Sequence, residues 1–178
     1  MAQNSPIGAL LSIKPIYANA ILDGRKKVEF RKRPFKRAVT HVIIYATAPM
    51  QRVVGWFRTK RYEQMSPAAL WKRFSAIGGI SRDDFEAYYG SSESGVAIHV
   101  EKPRRFRSPL PLSKVCSTTP PQSYAYLCPA TIKRLTDSTT PLPSKRSVLS
   151  WPNAASPKSK IKTQVKHPAK RKSASRSS

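Results

Sequence analysis

Apolar positions in the first sixty residues fall into short runs, and the polar positions between them mark where each run stops. Leu10-Leu11-Ser12-Ile13 reads as a strand halted by Lys14-Pro15, and residues 16–22 follow as a short helix ended by Asp23-Gly24, where glycine suits a C-terminal cap. Residues 27–32 alternate strictly: Val28 and Phe30 point one way, Lys27, Glu29 and Arg31 the other. The β-branched and aromatic runs 42–45 and 52–57 predict buried strands. The period then lengthens. Ser66-Pro67 is a helix start with an N-cap serine and proline at the first helical position, leading into residues 68–74. After Gly78-Gly79, Ser81 with Asp84 three positions on makes a capping-box-like start for a helix over 83–88. Residues 96–100 resume the strand pattern, 104–107 add a further candidate, and a loop-rich exit runs from 110 to 126. Five or six short strands with helices between them, and no repeated βαβ spacing, predict a small, mostly antiparallel β-barrel of the α+β class. Closure would remove exposed strand edges.

Charge then divides the chain. The 178 residues carry 33 Lys and Arg against 9 Asp and Glu, a net charge of +24. An excess of this size points to a polyanionic partner, because like charges destabilise a compact domain. Residues 1–131 hold +13; residues 132–178 hold +11 in little more than a third of that length, with Trp151 as their only aromatic. That composition cannot bury enough apolar surface to offset its chain entropy, so 132–178 is expected to be a disordered basic tail that binds phosphates by counterion release. The folded domain is expected over 8–130. No apolar stretch nears the length of a membrane span and the N-terminus lacks a signal-peptide pattern, which predicts a cytoplasmic protein with no membrane partner. Cys116, Cys128, His41, His99 and His167 show no zinc-site spacing; reduced thiols, no metal and no cofactor are expected.

The densest stretch is 24–37, with eight basic residues of fourteen. A disordered basic arm gives Val28 and Phe30 no reason to alternate with the charges; a strand anchors them in a core and presents a charged row. Glu29 interrupts that row. It either pairs with Lys27 or Arg31 to fix their geometry, or itself contacts a base or does chemistry, since a carboxylate accepts a cytosine amine and arginine forks onto phosphate or guanine. A solvated ion-pair ladder on an exposed strand accounts for the same pattern.

Gly24-Arg25-Lys26-Lys27-Val28-Glu29-Phe30-Arg31 resembles the G-x-K-x-x-E-x-R signature of the ASCH domain, a member of the PUA-like fold. Ser12-Ile13-Lys14-Pro15-Ile16-Tyr17 and Pro120-Pro121-Gln122-Ser123-Tyr124 are also similar to the family's pattern. The resemblance implies a compact barrel with inserted helices, a cleft lined by Lys26, Glu29 and Arg31, and a role in binding RNA or a nucleotide-like ligand, linked to transcription or translation. The candidate contacts are Lys14, Tyr17, Lys26, Lys27, Glu29, Arg31, Lys32, Arg33, Gln122, Ser123 and Tyr124. Tyr17 and Tyr124 are the candidate stacking rings; Phe35, Tyr45, Tyr62, Tyr88 and above all Trp56 read better as packing.

Some ASCH relatives are similar to amidohydrolases that deacetylate acetylated cytidine, in which a lysine activates a threonine three residues later. Lys26 matches the lysine, but Glu29 stands where the threonine belongs. Other relatives have been assigned ribonuclease activity, which implies Lys26 with Glu29 as the catalytic pair if this chain is such an enzyme. Glu29, beside Lys26 and Arg31, is expected to be held ionised, which suits it poorly as a general acid. RNA is the leading partner, with duplex DNA as the alternative. The basic strip Lys102-Pro103-Arg104-Arg105-Phe106-Arg107 either extends a phosphate track or forms a solvated edge.

Overall fold

A computed structural model describes residues 7–115 and 119–137. Among them the chain runs β1 (Gly8–Ile13), α1 (Pro15–Leu22), β2 (Val28–Arg31), β3 (His41–Ala46), β4 (Arg52–Arg58), β5 (Tyr62–Met65), α2 (Pro67–Gly78), α3 (Arg82–Tyr89), β6 (Gly95–His99), β7 (Glu101–Leu110), a 3-10 turn (Leu112–Lys114), β8 (Tyr124–Leu127) and α4 (Pro129–Asp137). Helix boundaries follow the capping chemistry in the sequence. Pro15 opens α1, which stops at Asp23 before Gly24 at φ 76°. Ser66 accepts from the Ala69 amide to start α2, and Gly79, at φ 57°, ends it. At α3 the Ser81 hydroxyl accepts from the Asp84 amide at 3.1 Å and donates to the Asp84 carboxylate at 2.9 Å.

The strands form two sheets, one of five in the order β7-β4-β3-β1-β8 and one of three in the order β2-β6-β5. Only the β1–β3 pairing is parallel, with Gly8 opposite His41 and Ile13 opposite Ala46; the others described are antiparallel. The mixed α+β class and the mainly antiparallel pairing therefore hold. Barrel closure does not: both sheets are open. Their outer strands are blunted by other means. β7 carries Pro103, Pro109 and Lys102 at φ 46°, and its register against β4 shifts twice, which are features of an edge that resists further pairing.

Three apolar layers separate the elements. Leu11, Ile13, Val42, Ile44, Val54 and Phe57 on one face of the five-stranded sheet pack with Ile21 and Leu22 of α1 and with Val96 and Ile98 of β6. On its other face Leu10, Ile43, Tyr45, Trp56 and Phe106 pack under Ile132 and Leu135 of α4. Val28 and Phe30 of β2 meet Leu70 and Phe74 of α2 and Phe85 and Tyr89 of α3. The alternation in β2 was thus correctly oriented, but its charged side faces inward: Glu29 and Arg31 sit opposite Ile98 and Val96, the residues that face the first layer.

Three elements are absent from the sequence reading: β5, β8 and α4. The last moves the domain boundary. Residues 132–137 are helical, and Ile132 and Leu135 are 1% and 2% exposed, so the fold runs past the expected end at 130. The remainder of the expected tail, 138–178, lies outside the described residues, as do Cys116 and His167. No helix among the described residues is long and apolar enough to cross a membrane.

Burial of two large aliphatic side chains contributes about 3–6 kcal/mol, a large part of a domain's total stability. A chain ending at Thr131 is expected to melt ~10–20 °C below one ending at Asp137. Equal midpoints in a thermal scan would return the boundary to the position the composition suggests.

Candidate functional site

The loop from α1 into β2 places Lys26 under the C-terminus of α2. Its Nζ donates to the Gly78 carbonyl at 2.5 Å and lies 3.6 Å from Glu29 Oε2. The same ammonium sits 4.9 Å from the ring centre of Phe30 and 5.4 Å from that of Tyr17. Unpaired carbonyls and the negative end of the helix dipole favour a cation at this position. The two glycines at the end of α2 make the approach possible. A Cβ on Gly78 would stand 2.7 Å from the Phe30 ring, and one on Gly79 would stand 2.9 Å from Lys26 Cβ. Lys26 is 1% exposed. Burial pushes its pKa down, against the attraction of Glu29.

Glu29 faces a second cation, with Oε1 3.6 Å from Arg31 Nη1. Arg31 donates in turn to the Ser12 carbonyl at 3.1 Å and the Ser123 carbonyl at 2.5 Å, while the Tyr89 hydroxyl donates to its main-chain oxygen. The Ser12 hydroxyl donates to the Pro121 carbonyl at 2.7 Å. Arg31 and Ser12 together tie the 119–123 loop to the end of β1. The three motif residues form one buried ion cluster that joins α1, β2, α2 and this loop.

Tyr17 closes the cluster from the side of α1. Its hydroxyl donates to Asp84 Oδ2 at 3.2 Å, and burial, then the charge of Asp84, raises its pKa to about 12. The phenol keeps its proton at neutral pH. Tyr124 is also engaged: its ring packs edge-on against Phe35 at 5.1 Å and Tyr126 at 5.3 Å, and its hydroxyl donates to the Pro34 carbonyl. Both expected stacking rings are half-buried and already engaged, Tyr17 by Lys26 and Tyr124 by its two aromatic neighbours. Lys14, Lys32, Arg33, Gln122 and Ser123 are exposed. Lys32 lies over the half-exposed ring of Tyr88 at 5.6 Å. Lys27 turns elsewhere: a Cβ on Gly24 would stand 3.6 Å from its Nζ, and its amide donates to Ile77 at the end of α2. Lys14 lies two residues after Ser12, and Lys32 and Arg33 directly follow Arg31 in the chain.

Gly78, Gly79, Asp84 and Tyr89 also belong to this site and are not among the contacts expected from the sequence. The paired glycines at a helix end were its visible trace; Asp84 was read only as a cap, which it also is. Elsewhere, Glu63 binds Arg61 and Arg73 at 2.8 and 2.9 Å and His99 at 2.9 Å, and these groups hold its carboxyl below the usual range. Among the described residues no group of three potential metal ligands comes together.

Residues 11–108 match the family model described as ASCH domain. The chain is 30% identical over 124 residues to a protein of Zymomonas mobilis named ASCH domain-containing ribonuclease, covering 67% of this chain and 83% of that one. It is 29% identical over 119 residues to a protein of Ureaplasma parvum named large ribosomal subunit protein uL22, and there spans 66% of itself but only 38% of the relative. A crystal structure of ASCH from Zymomonas mobilis superposes with a TM-score of 0.67 at 28% identity, over 75% of this chain and 96% of that one.

Removing one partner of a buried ion pair costs about 3–5 kcal/mol, because the other charge stays buried. Glu29→Gln is therefore expected to lower the melting temperature by ~10–20 °C, whereas Lys32→Ala should change stability by less than about 0.5 kcal/mol. Lys26→Met combined with Glu29→Gln should cost about 1–3 kcal/mol less than the two single substitutions summed. Additive losses would show that the two groups do not interact.

Proposed function

Because the chain belongs to the ASCH domain family, we propose that it is a cytoplasmic RNA-binding module whose buried Lys26–Glu29–Arg31 cluster builds the cleft and whose exposed rim contacts the ligand. The observation that carries this reading is the difference in exposure within one motif. Lys26 and Glu29 are 1% and 5% exposed, while Lys14, just past the end of β1, and Lys32 and Arg33, which directly follow Arg31, stand in solvent. A phosphate reaches the rim without disturbing the cluster. The named function of the Zymomonas relative supports RNA as the substrate class.

RNA cleavage is a second reading, favoured by the ribonuclease name of the Zymomonas relative and by the place of Lys26 beside Glu29. An unprotonated Lys26 amine would take the proton of a ribose 2'-hydroxyl as that oxygen attacks the adjacent phosphorus, forming a 2',3'-cyclic phosphate while the 5'-oxygen leaves as a hydroxyl with a proton from water. The burial of Lys26 ranks this below binding, since Nζ reaches an RNA only after Tyr17 and the end of α2 move aside. Deacetylation of acetylated cytidine has less support, because Glu29 occupies the nucleophile's place and is paired on both oxygens.

A labelled single-stranded RNA titrated at several salt concentrations, followed by a denaturing gel of the same samples, tests both readings. Affinity is expected to fall steeply with salt, and replacing Lys14, Lys32 and Arg33 by Gln should lower the logarithmic slope by about 2, at roughly 0.7 per phosphate contact. Salt-independent binding overturns the electrostatic account. Fragments lost in Lys26→Met, with binding retained, would promote the second reading.

A further inference from the structure

The cluster lies on one side of the five-stranded sheet. Two pockets lie on the other, along the two flanks of α4. One, of about 370 Å³, is lined by His41, Arg58, Lys133 and Thr136 with Ile132 beneath. The second, of about 390 Å³, has Arg107, Lys114 and Arg134 around an apolar floor of Phe106, Leu110 and Leu135. Each is large enough for a nucleotide. No Asp or Glu lines either pocket. No ion pair among the described residues involves Arg58, Arg107, Lys114 or Lys133.

The surrounding geometry sets these cations outward. Arg58 Nε points to His41 Nε2 at 3.4 Å, and His41 Nδ1 lies 3.0 Å from the Thr40 hydroxyl. Burial and the Arg58 charge lower the His41 pKa, so the ring stays neutral and accepts from the guanidinium, which keeps its terminal Nη groups. Arg134 donates to the Lys114 carbonyl at 2.6 Å and so ties α4 to the 3-10 turn. α4 is nine residues, about 14 Å long, and an α-helix is about 10 Å across, so one strand of nucleic acid can touch both flanks. Basic sequence also continues from this helix: residues 138–178, which follow it, contain ten Lys and Arg and no Asp or Glu.

We infer that the α4 face is a second RNA surface, separate from the family motif, which binds the phosphodiester backbone of a longer strand through Arg58, Arg107, Lys114 and Lys133, with the Phe106–Leu110–Leu135 floor beneath a base or ribose. This inference rests on the RNA reading of the cleft. It assigns the basic strip of β7 in part: Arg107 joins this face, whereas Arg105 is held by Asn19 of α1 and by Asp23 at its C-cap.

The test uses the full chain and two oligouridines, one of about 6 nucleotides and one of about 30, against typical single-strand site sizes of roughly 4–16. Replacing Arg107, Lys114 and Lys133 by Gln is expected to lower the salt slope for the long RNA by about 2 and to leave the short RNA unchanged. Should the triple variant melt early, each single substitution should lower the slope by about 0.7. An unchanged slope for the long RNA, with the parent binding both, overturns the α4 face and leaves the cleft reading intact. A parent that binds neither RNA overturns both. A parent that prefers duplex DNA or an acidic protein at this face overturns the assignment of RNA as its ligand.

Discussion

One carboxylate between two cations organises this molecule. Glu29 lies within 3.6 Å of both Lys26 and Arg31 in a place closed to water, and through them it joins the end of α2, the start of β2 and the 119–123 loop to the rim of β1. Isolated charges at such depth would be expensive to desolvate. Three shared charges, two main-chain carbonyls for Arg31, one for Lys26 and two aromatic faces make the cluster sustainable. The carboxylates of this chain are few, nine against 33 cations, and several are committed in the same manner. Asp23 fixes Arg25 and Arg105, Glu63 gathers Arg61, Arg73 and His99, and Glu86 holds Arg82. Among the described residues, Lys14, Lys32 and Arg33 near the motif and Arg58, Arg107, Lys114 and Lys133 around α4 are exposed cations outside these ion pairs.

The sheets supply the setting. Strand β2 buries Val28 and Phe30 against α2 and α3 and so directs Glu29 toward the five-stranded sheet. Arg31 follows the same side and reaches the ends of β1 and the loop before β8. The paired glycines at the end of α2 are as necessary as the charged residues, since a side chain at either would displace Phe30 or Lys26. This explains why a short motif needs an entire small domain around it. It also explains how the domain can form a minor part of a longer relative, such as the Ureaplasma protein of which it matches 38%.

Much of this was legible in the chain. The proline, serine and glycine punctuation placed α1, α2 and α3, and the alternation of 27–32 separated the apolar from the charged side of β2. What alternation does not encode is whether the polar side meets water or a second layer; here it meets a layer, and the residues that read as ligand contacts are partly structural. β8 and α4 escaped because their signals are thin. Tyr124–Leu127 is a four-residue edge strand after a proline-rich loop, and α4 has only Ile132 and Leu135 to anchor it, set among Lys133, Arg134 and threonines in a region whose composition argues against folding. Closure into a barrel was inferred from strand number, and strand number does not fix whether the edges meet.

If the motif lysine is part of the architecture and the exposed cations near it touch the ligand, the two kinds of lysine must respond differently to RNA. Side-chain NMR of the lysine ammonium and ε-methylene groups during titration with single-stranded RNA separates them. The signals of Lys14 and Lys32 are expected to move with added RNA while those of Lys26 stay in place and remain protected from exchange with water. A shift that is largest at Lys26 would contradict that division of roles.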